Sequence, residues 1–328
     1  MKAVYIKDFG HVENLEIRDV PDTASPKDTQ VLVRVRATGL NRADLLQVRG
    51  AYPPSTGYSP NRPGLEFAGE ITEVGSEVDD WKAGDRVFGI TAGESQAEYL
   101  VTDASLLAKI PENLSFTEAA AVPEVFITAH DAVFTQCGLA SDETLLVHAV
   151  GSGVGLAALQ LAKANGANVI GTSRTADKLE RCSEFGLDAS IPTGKGIEFA
   201  KQVIEFTSGR GANVILDLVG AAYFQENLAS LALKGRIILV GLTSGSKTEF
   251  DLGLALRKRA KIIGTVLRAR STEEKAAATR AFSDQVVPLL ASRAVRPNLD
   301  KVFPVHDVVA AYKYLESNES FGKVVIEF

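Results

Sequence analysis

The chain has 328 residues, 45% of them apolar and 23% charged, with a net charge of −6. Single cores stop growing at roughly 250–300 residues, so two domains are expected. The scattered basic residues form no stripe that would neutralise nucleic-acid phosphates, and MKAVYIKDFG opens without the apolar stretch of a secretory signal or membrane anchor, so a cytoplasmic protein is expected.

Residues 1 to about 120 read as short strands between turns. The segment 31–37 (VLVRVRA) alternates, and 70–74, 85–90 and 97–101 follow, an all-β pattern that closes on itself. From about 144 the period changes. A short apolar strand at 145–149 (LLVHA) leads into a helix at 154–165 that stops at Gly166, then a strand at 168–172, a helix at 176–185 stopping at Gly186, and a strand at 189–191. The alternation continues through a helix at 197–207, a strand at 213–218, a helix near 224–233 and strands at 236–240 and 261–265. It predicts an α/β, Rossmann-type, doubly wound parallel sheet covered on both faces. The remainder reads as a helix at 272–291, a strand near 302–304, a helix at 306–317 and a strand at 323–327. Such a tail is too small to fold alone and is expected to join the first domain, with boundaries near 123 and 268.

The run LLVHAVGSGVGLAALQLA places Gly151-Ser152-Gly153-Val154-Gly155 between a strand and a helix. Glycines there permit a tight turn and close approach of backbone to a pyrophosphate, and the helix start offers unpaired N–H groups. The spacing departs from G-x-G-x-x-G, because the third glycine comes one residue early and Leu156 holds its place. At the end of the next strand, where a carboxylate would pair the ribose hydroxyls of NAD, stand Ser173 and Arg174, with Lys178 one helical turn later. Charge-assisted bonds from such groups are worth about 1.5–3 kcal/mol each, a tenfold or larger preference. NADPH is the predicted cofactor.

Cys137 and Cys182 have no Cys or His at ligand spacing, so neither a disulfide nor a thiolate zinc site is expected. His11, His130, His148 and His306 form no acid–base pair with a neighbouring Ser or Cys, and His148, inside a buried strand, reads as a core residue. No dedicated proton donor is evident, which leaves water or a hydroxyl of the site.

The segments GLNRADLLQVRGAYP (39–53), RPGLEFAGEITEVGSEVDDWKAGDRV (62–87), HAVGSGVGLAALQLAKANGA (148–167), LRAR (267–270) and GKVVIEF (322–328) resemble the medium-chain dehydrogenase/reductase superfamily, and within it the quinone oxidoreductase branch. The resemblance implies a GroES-like, partly open β-barrel catalytic domain (1–123 and 269–328), a Rossmann NADPH-binding domain (124–268), a cleft between them and a homodimer. Zinc alcohol dehydrogenases of the superfamily carry a Cys where this chain has Asn41 and a His-Glu pair where it has Leu65-Glu66, so the resemblance implies a zinc-free site. Without a Lewis acid, hydride transfer favours acceptors activated by conjugation, and quinones are the implied substrates. It further implies that Asn41, Asp44 and Tyr52 line the catalytic site, with Asn41 also holding the nicotinamide ribose or carboxamide. Thr128, Gly241, Leu242, Leu267, Arg268 and Lys323, with Gly322 beside it, are implied cofactor contacts. Two other readings stand beside quinone reduction: a 2-alkenal or enone reductase, and a non-catalytic NADPH-binding protein of the lens-crystallin kind.

Overall fold

The computed structural model of the chain describes residues 1–194 and 196–328. It forms two compact units, Met1–Ile127 with Leu267–Phe328, and Thr128–Val266. The chain passes from the first unit to the second after Ile127 and returns after Val266. Among the described residues no helix is long and apolar enough to cross a membrane.

In the first unit the strand Gln30–Gly39 is the hub. Its alternate residues Val31, Val33, Val35 and Ala37 are buried and pack with Phe67, Ile71, Val87, Leu100 and Leu107, apart from Ala37. It pairs antiparallel with Glu66–Val74, Tyr99–Asp103 and Lys323–Glu327. Arg86–Ile90 and Leu107–Lys109 extend the sheet on one side, and Leu299–Pro304 beyond Lys323–Glu327 on the other. Main-chain bonding of the last strand to residues 37–39 explains why the tail joins this unit.

The all-β reading of the first 120 residues missed two helices, Arg42–Val48 and Phe116–Ala120. Both announce themselves by a capping pair, Asn41 with Asp44 and Ser115 with Glu118. The strand Glu66–Val74 starts ahead of the expected position 70. Glu66, Phe67, Ala68 and Gly69 are all buried, so neither face is polar and no alternation marks the start.

Among the described residues the second unit holds six parallel strands in the order Ala189–Pro192, Asn168–Ser173, Thr144–Val147, Ala212–Asp217, Leu231–Leu239, Lys261–Gly264. Numbered along the chain this is 3-2-1-4-5-6, the order of doubly wound dinucleotide sheets, with the reversal between the Thr144 and Ala212 strands. Its core joins Leu146, Ile170, Ile191, Phe199, Ile215 and Ile237. The helix expected at 224–233 ends at Ser230 and a strand begins at Leu231, which pairs with Ala212. Lys234 there takes φ +61°, which a helix does not accommodate. In the first unit, the single helix expected at 272–291 is two, Thr272–Gln285 and Val287–Ala291. Pro288, lacking an N–H, sits in the first turn of the second, where that lack costs least.

Candidate active site

Asn41, Asp44 and Lys323 lie in one buried polar network of the first unit, and its centre is Glu66. Glu66 is fully buried, and its Oε1 accepts from Lys323 Nζ at 2.6 Å and Asn41 Nδ2 at 2.8 Å. Its Oε2 accepts from the Glu124 backbone N–H at 2.8 Å. Lys323 Nζ also donates to Leu40 O at 2.6 Å and Asn41 Oδ1 at 2.8 Å. Glu66 and Lys323 each open a strand whose first four residues are buried, and a charge buried there survives only when paired and fully hydrogen-bonded. Gly39 leaves room for it: a Cβ at that position would collide with the Glu66 carboxylate and lie 2.6 Å from Ala120 O.

Asp44, near the start of the Arg42–Val48 helix, accepts from the Asn41 N–H at 2.8 Å and the Gly64 N–H at 3.2 Å. Gly64 adopts φ +113°, and a Cβ on it would lie 2.6 Å from Gln96 N. Burial pushes the Asp44 carboxyl up to about 6 against these bonds. Glu124, half-buried at the start of the Pro123–His130 helix, is pushed up to about 8 by burial and then by the neighbouring Glu66 carboxylate. Such a carboxyl holds its proton at neutral pH.

Tyr52 is half-buried beside Arg268, and burial raises its hydroxyl. Arg268 Nε donates to Ala92 O at 2.9 Å, one terminal nitrogen to Tyr52 O at 3.1 Å and the other to Gln47 Oε1 at 2.6 Å. Its guanidinium carbon lies 4.9 Å from the Tyr52 ring centroid. The side chain expected to reach the cofactor is thus engaged inside its own unit. Leu267, next to it, is half-buried.

In the second unit the strand Thr144–Val147 leads to Ala149 at φ +49° and to Ser152, the N-cap of Gly153–Ala164, whose Oγ accepts from the Gly155 N–H at 3.2 Å. A Cβ on Gly155 would lie 2.6 Å from both Ala149 O and Val150 O. Gly155 therefore does what a third glycine does, letting helix pack close to strand, one position early. The turn lies beside the next strand end through the Val150 N–H to Thr172 O bond of 3.0 Å. There Ser173 is buried, Arg174 exposed and Lys178 half-buried. Asp177, exposed in the first turn of Ala176–Cys182, is a carboxylate beside this group that the sequence reading left out of account. Gly241 donates to Asp217 O at 3.2 Å, with Leu242 exposed after it. Thr128 is half-buried at the start of this unit.

His148 is a core residue: its ring nitrogens lie 2.9 Å from Thr172 Oγ1 and 2.5 Å from Asn227 Oδ1, and burial pushes it down to about 4. Cys137 and Cys182 are free and buried, with thiols pushed up to about 11 and about 12 by burial. Among the described residues no cluster of His, Cys, Asp or Glu is placed to hold a metal. A cavity of about 750 Å³ in the first unit, lined by Tyr5, Arg62, Glu94 and Tyr99 among others, touches none of the expected site residues.

Glu66, Glu124 and Gln47 are the polar residues of this site that the sequence analysis did not select. The first carried a legible signal, a carboxylate in the apolar run LEFAG, which demands a buried partner.

Two family profiles match the chain: the alcohol dehydrogenase GroES-like domain over residues 27–126 and the zinc-binding dehydrogenase over residues 153–283. Quinone oxidoreductase-like protein 2 homolog of Nematostella vectensis is 34% identical, over 99% of this chain and 88% of its own length. The quinone oxidoreductase of Pseudomonas syringae pv. Tomato DC3000 superposes with a TM-score of 0.87 at 28% identity, covering 100% of this chain and 99% of that one. A mycobacterial protein solved in complex with NADPH gives a TM-score of 0.87 at 28% identity, covering 100% of both chains.

Proposed function

Because the chain belongs to the quinone oxidoreductase-like branch of the medium-chain dehydrogenase/reductase superfamily, we propose that it reduces quinones with NADPH and without zinc. The superfamily uses nicotinamide cofactors, and the NADPH-bound relative has this fold.

The observation that carries the reading is the buried Lys323–Glu66–Asn41 network. A catalytic zinc takes three donors from Cys, His and carboxylate, with water or substrate as the fourth. Here both oxygens of Glu66 are engaged by Lys323, Asn41 and the Glu124 N–H, and an ammonium 2.6 Å away would repel a dication. Asn41 and Leu65 beside it offer no anionic donor. An acceptor reduced here must already be activated, as a quinone is.

NADPH fits the second unit. Gly151, Ser152, Gly153 and Val154 hold the pyrophosphate at the start of a 12-residue helix, and Ser173, Arg174 and Lys178 hold the 2′-phosphate. Thr128, Gly241, Leu242 and Leu267 remain candidates for the nicotinamide side. When bound, the cofactor supplies a hydride. Asn41, its amide already tied to Lys323 and Glu66, offers its remaining lone pair in a fixed direction. Tyr52 donates its hydroxyl to an acceptor oxygen, and Asp44 fixes the start of the helix that follows Asn41.

The same reading includes a homodimer. Among the described residues Lys261–Gly264 is paired on one side only, leaving an open sheet edge. The nearby Leu252 and Leu256 are 73% and 76% exposed, and an open edge with exposed apolar groups calls for a partner.

The test is loss of NADPH absorbance, with NADH in parallel, against ortho-quinones, para-quinones and alkenals in chelator-containing buffer. Quinone-dependent NADPH oxidation that survives the chelator is expected. Turnover of alkenals alone, or NADPH binding without turnover, would replace the reading. Arg174→Ala should lower the NADPH/NADH ratio of kcat/KM by tenfold or more, and an unchanged ratio would remove Arg174 from the phosphate site.

A further inference from the structure

Arg268 is 4% exposed, yet it is a long cationic side chain and is the second residue of the stretch that re-enters the first unit. Burying a guanidinium requires that its donors be used. They are used on three separate stretches of chain: Ala92 O after the Arg86–Ile90 strand, Gln47 Oε1 on the Arg42–Val48 helix, and Tyr52 O in the loop between that helix and Glu66–Val74. The Tyr52 ring lies against the same cation. Ser55 Oγ closes the clasp from the other side by donating to Arg268 O at 3.2 Å. Gln47 in turn donates to Pro60 O at 2.9 Å, so the loop is held near both ends.

We infer that Arg268 is the positioning residue of the 52–60 loop: by bonding Tyr52 O, Gln47 and Ala92 O together it fixes where the Tyr52 hydroxyl is presented, and it is not a ligand of the cofactor phosphates. The inference deepens the reading above and rests on it for the role of Tyr52. A planar fork with separate donors on three nitrogens suits three acceptors at once. Lysine in its place would keep the charge and lose the fork, and glutamine would lose both.

The test uses the full chain with Arg268→Gln and Arg268→Lys. Backbone hydrogen exchange in residues 50–60 should rise by tenfold or more in Arg268→Gln and by less in Arg268→Lys. The Kd for NADPH should stay within twofold of the parent in both. With a quinone acceptor, KM should rise about tenfold while kcat falls less than threefold, and adding Arg268→Gln to Tyr52→Phe should change KM less than twofold, because Arg268 acts through that hydroxyl. A tenfold loss of NADPH affinity with unchanged exchange in the loop would overturn the inference, as would additive effects on KM. Should Arg268→Gln fail to fold, Arg268→Lys carries the same comparison. Exchange and NADPH affinity are read without any acceptor, so absence of quinone turnover in the parent protein would sink the functional reading while these two arms still decide the clasp.

Discussion

At the residue scale the site is governed by charges that have left water. Lys323 and Glu66 are 4% and 0% exposed and 2.6 Å apart. Removing one partner of such a pair leaves an uncompensated buried charge, at a cost of about 3–5 kcal/mol. Lys323→Met should therefore lower stability to urea by about that much, and adding Glu66→Gln should return a large part of it, which a double-mutant cycle by urea unfolding would measure. Glu124 makes a separate prediction. Its carboxyl is held at about 8 in the fold against an ordinary 4.5, so between those values the folded chain keeps a proton that the unfolded chain releases. The contribution is fully present below about 4.5 and is lost as pH rises through about 8. Glu124→Gln should flatten the stability profile over this window and make the chain about 1–3 kcal/mol more stable relative to the parent at the alkaline end, after allowing for partial exposure. Denaturant midpoints measured across the window would check it, and a parallel slope in the variant would discard Glu124 as the cause.

At the scale of elements, Ser173 ends a strand, while Ser152 and Asp44 stand at the starts of helices. The Ser152 cap and Gly155 set the start of the Gly153–Ala164 helix against the neighbouring strand ends, where parallel sheets bind ligands. One margin of that sheet is the Lys261–Gly264 strand, whose Ile262 is exposed. A charge on an open edge opposes strand addition. For the homodimer proposed above, Ile262→Lys should therefore leave a monomer in light scattering where the parent chain is a dimer, with NADPH affinity retained; an unchanged mass would locate the interface elsewhere.

At the scale of the whole molecule, the first unit is assembled from two distant stretches of chain, while the second is continuous. A 128–266 fragment should melt cooperatively on its own by circular dichroism. A 1–127 fragment should not, since it lacks Lys323–Glu327, which pairs with residues 37–39, and the ammonium that neutralises Glu66. The strand–helix alternation after residue 144 and the glycine turn were legible in the sequence because they rest on local periodicity and short spacings, and short spacing is also what singled out Ser173, Arg174 and Lys178. Asn41, Asp44 and Tyr52 entered through resemblance. Local pattern could not supply the pairing of Glu66 with Lys323, 257 positions apart, nor the inward turn of Arg268 onto Gln47, 221 positions away. A buried charge states in the sequence that it needs a partner, but which residue answers is decided by strand register and chain return, and those exist only in the folded molecule.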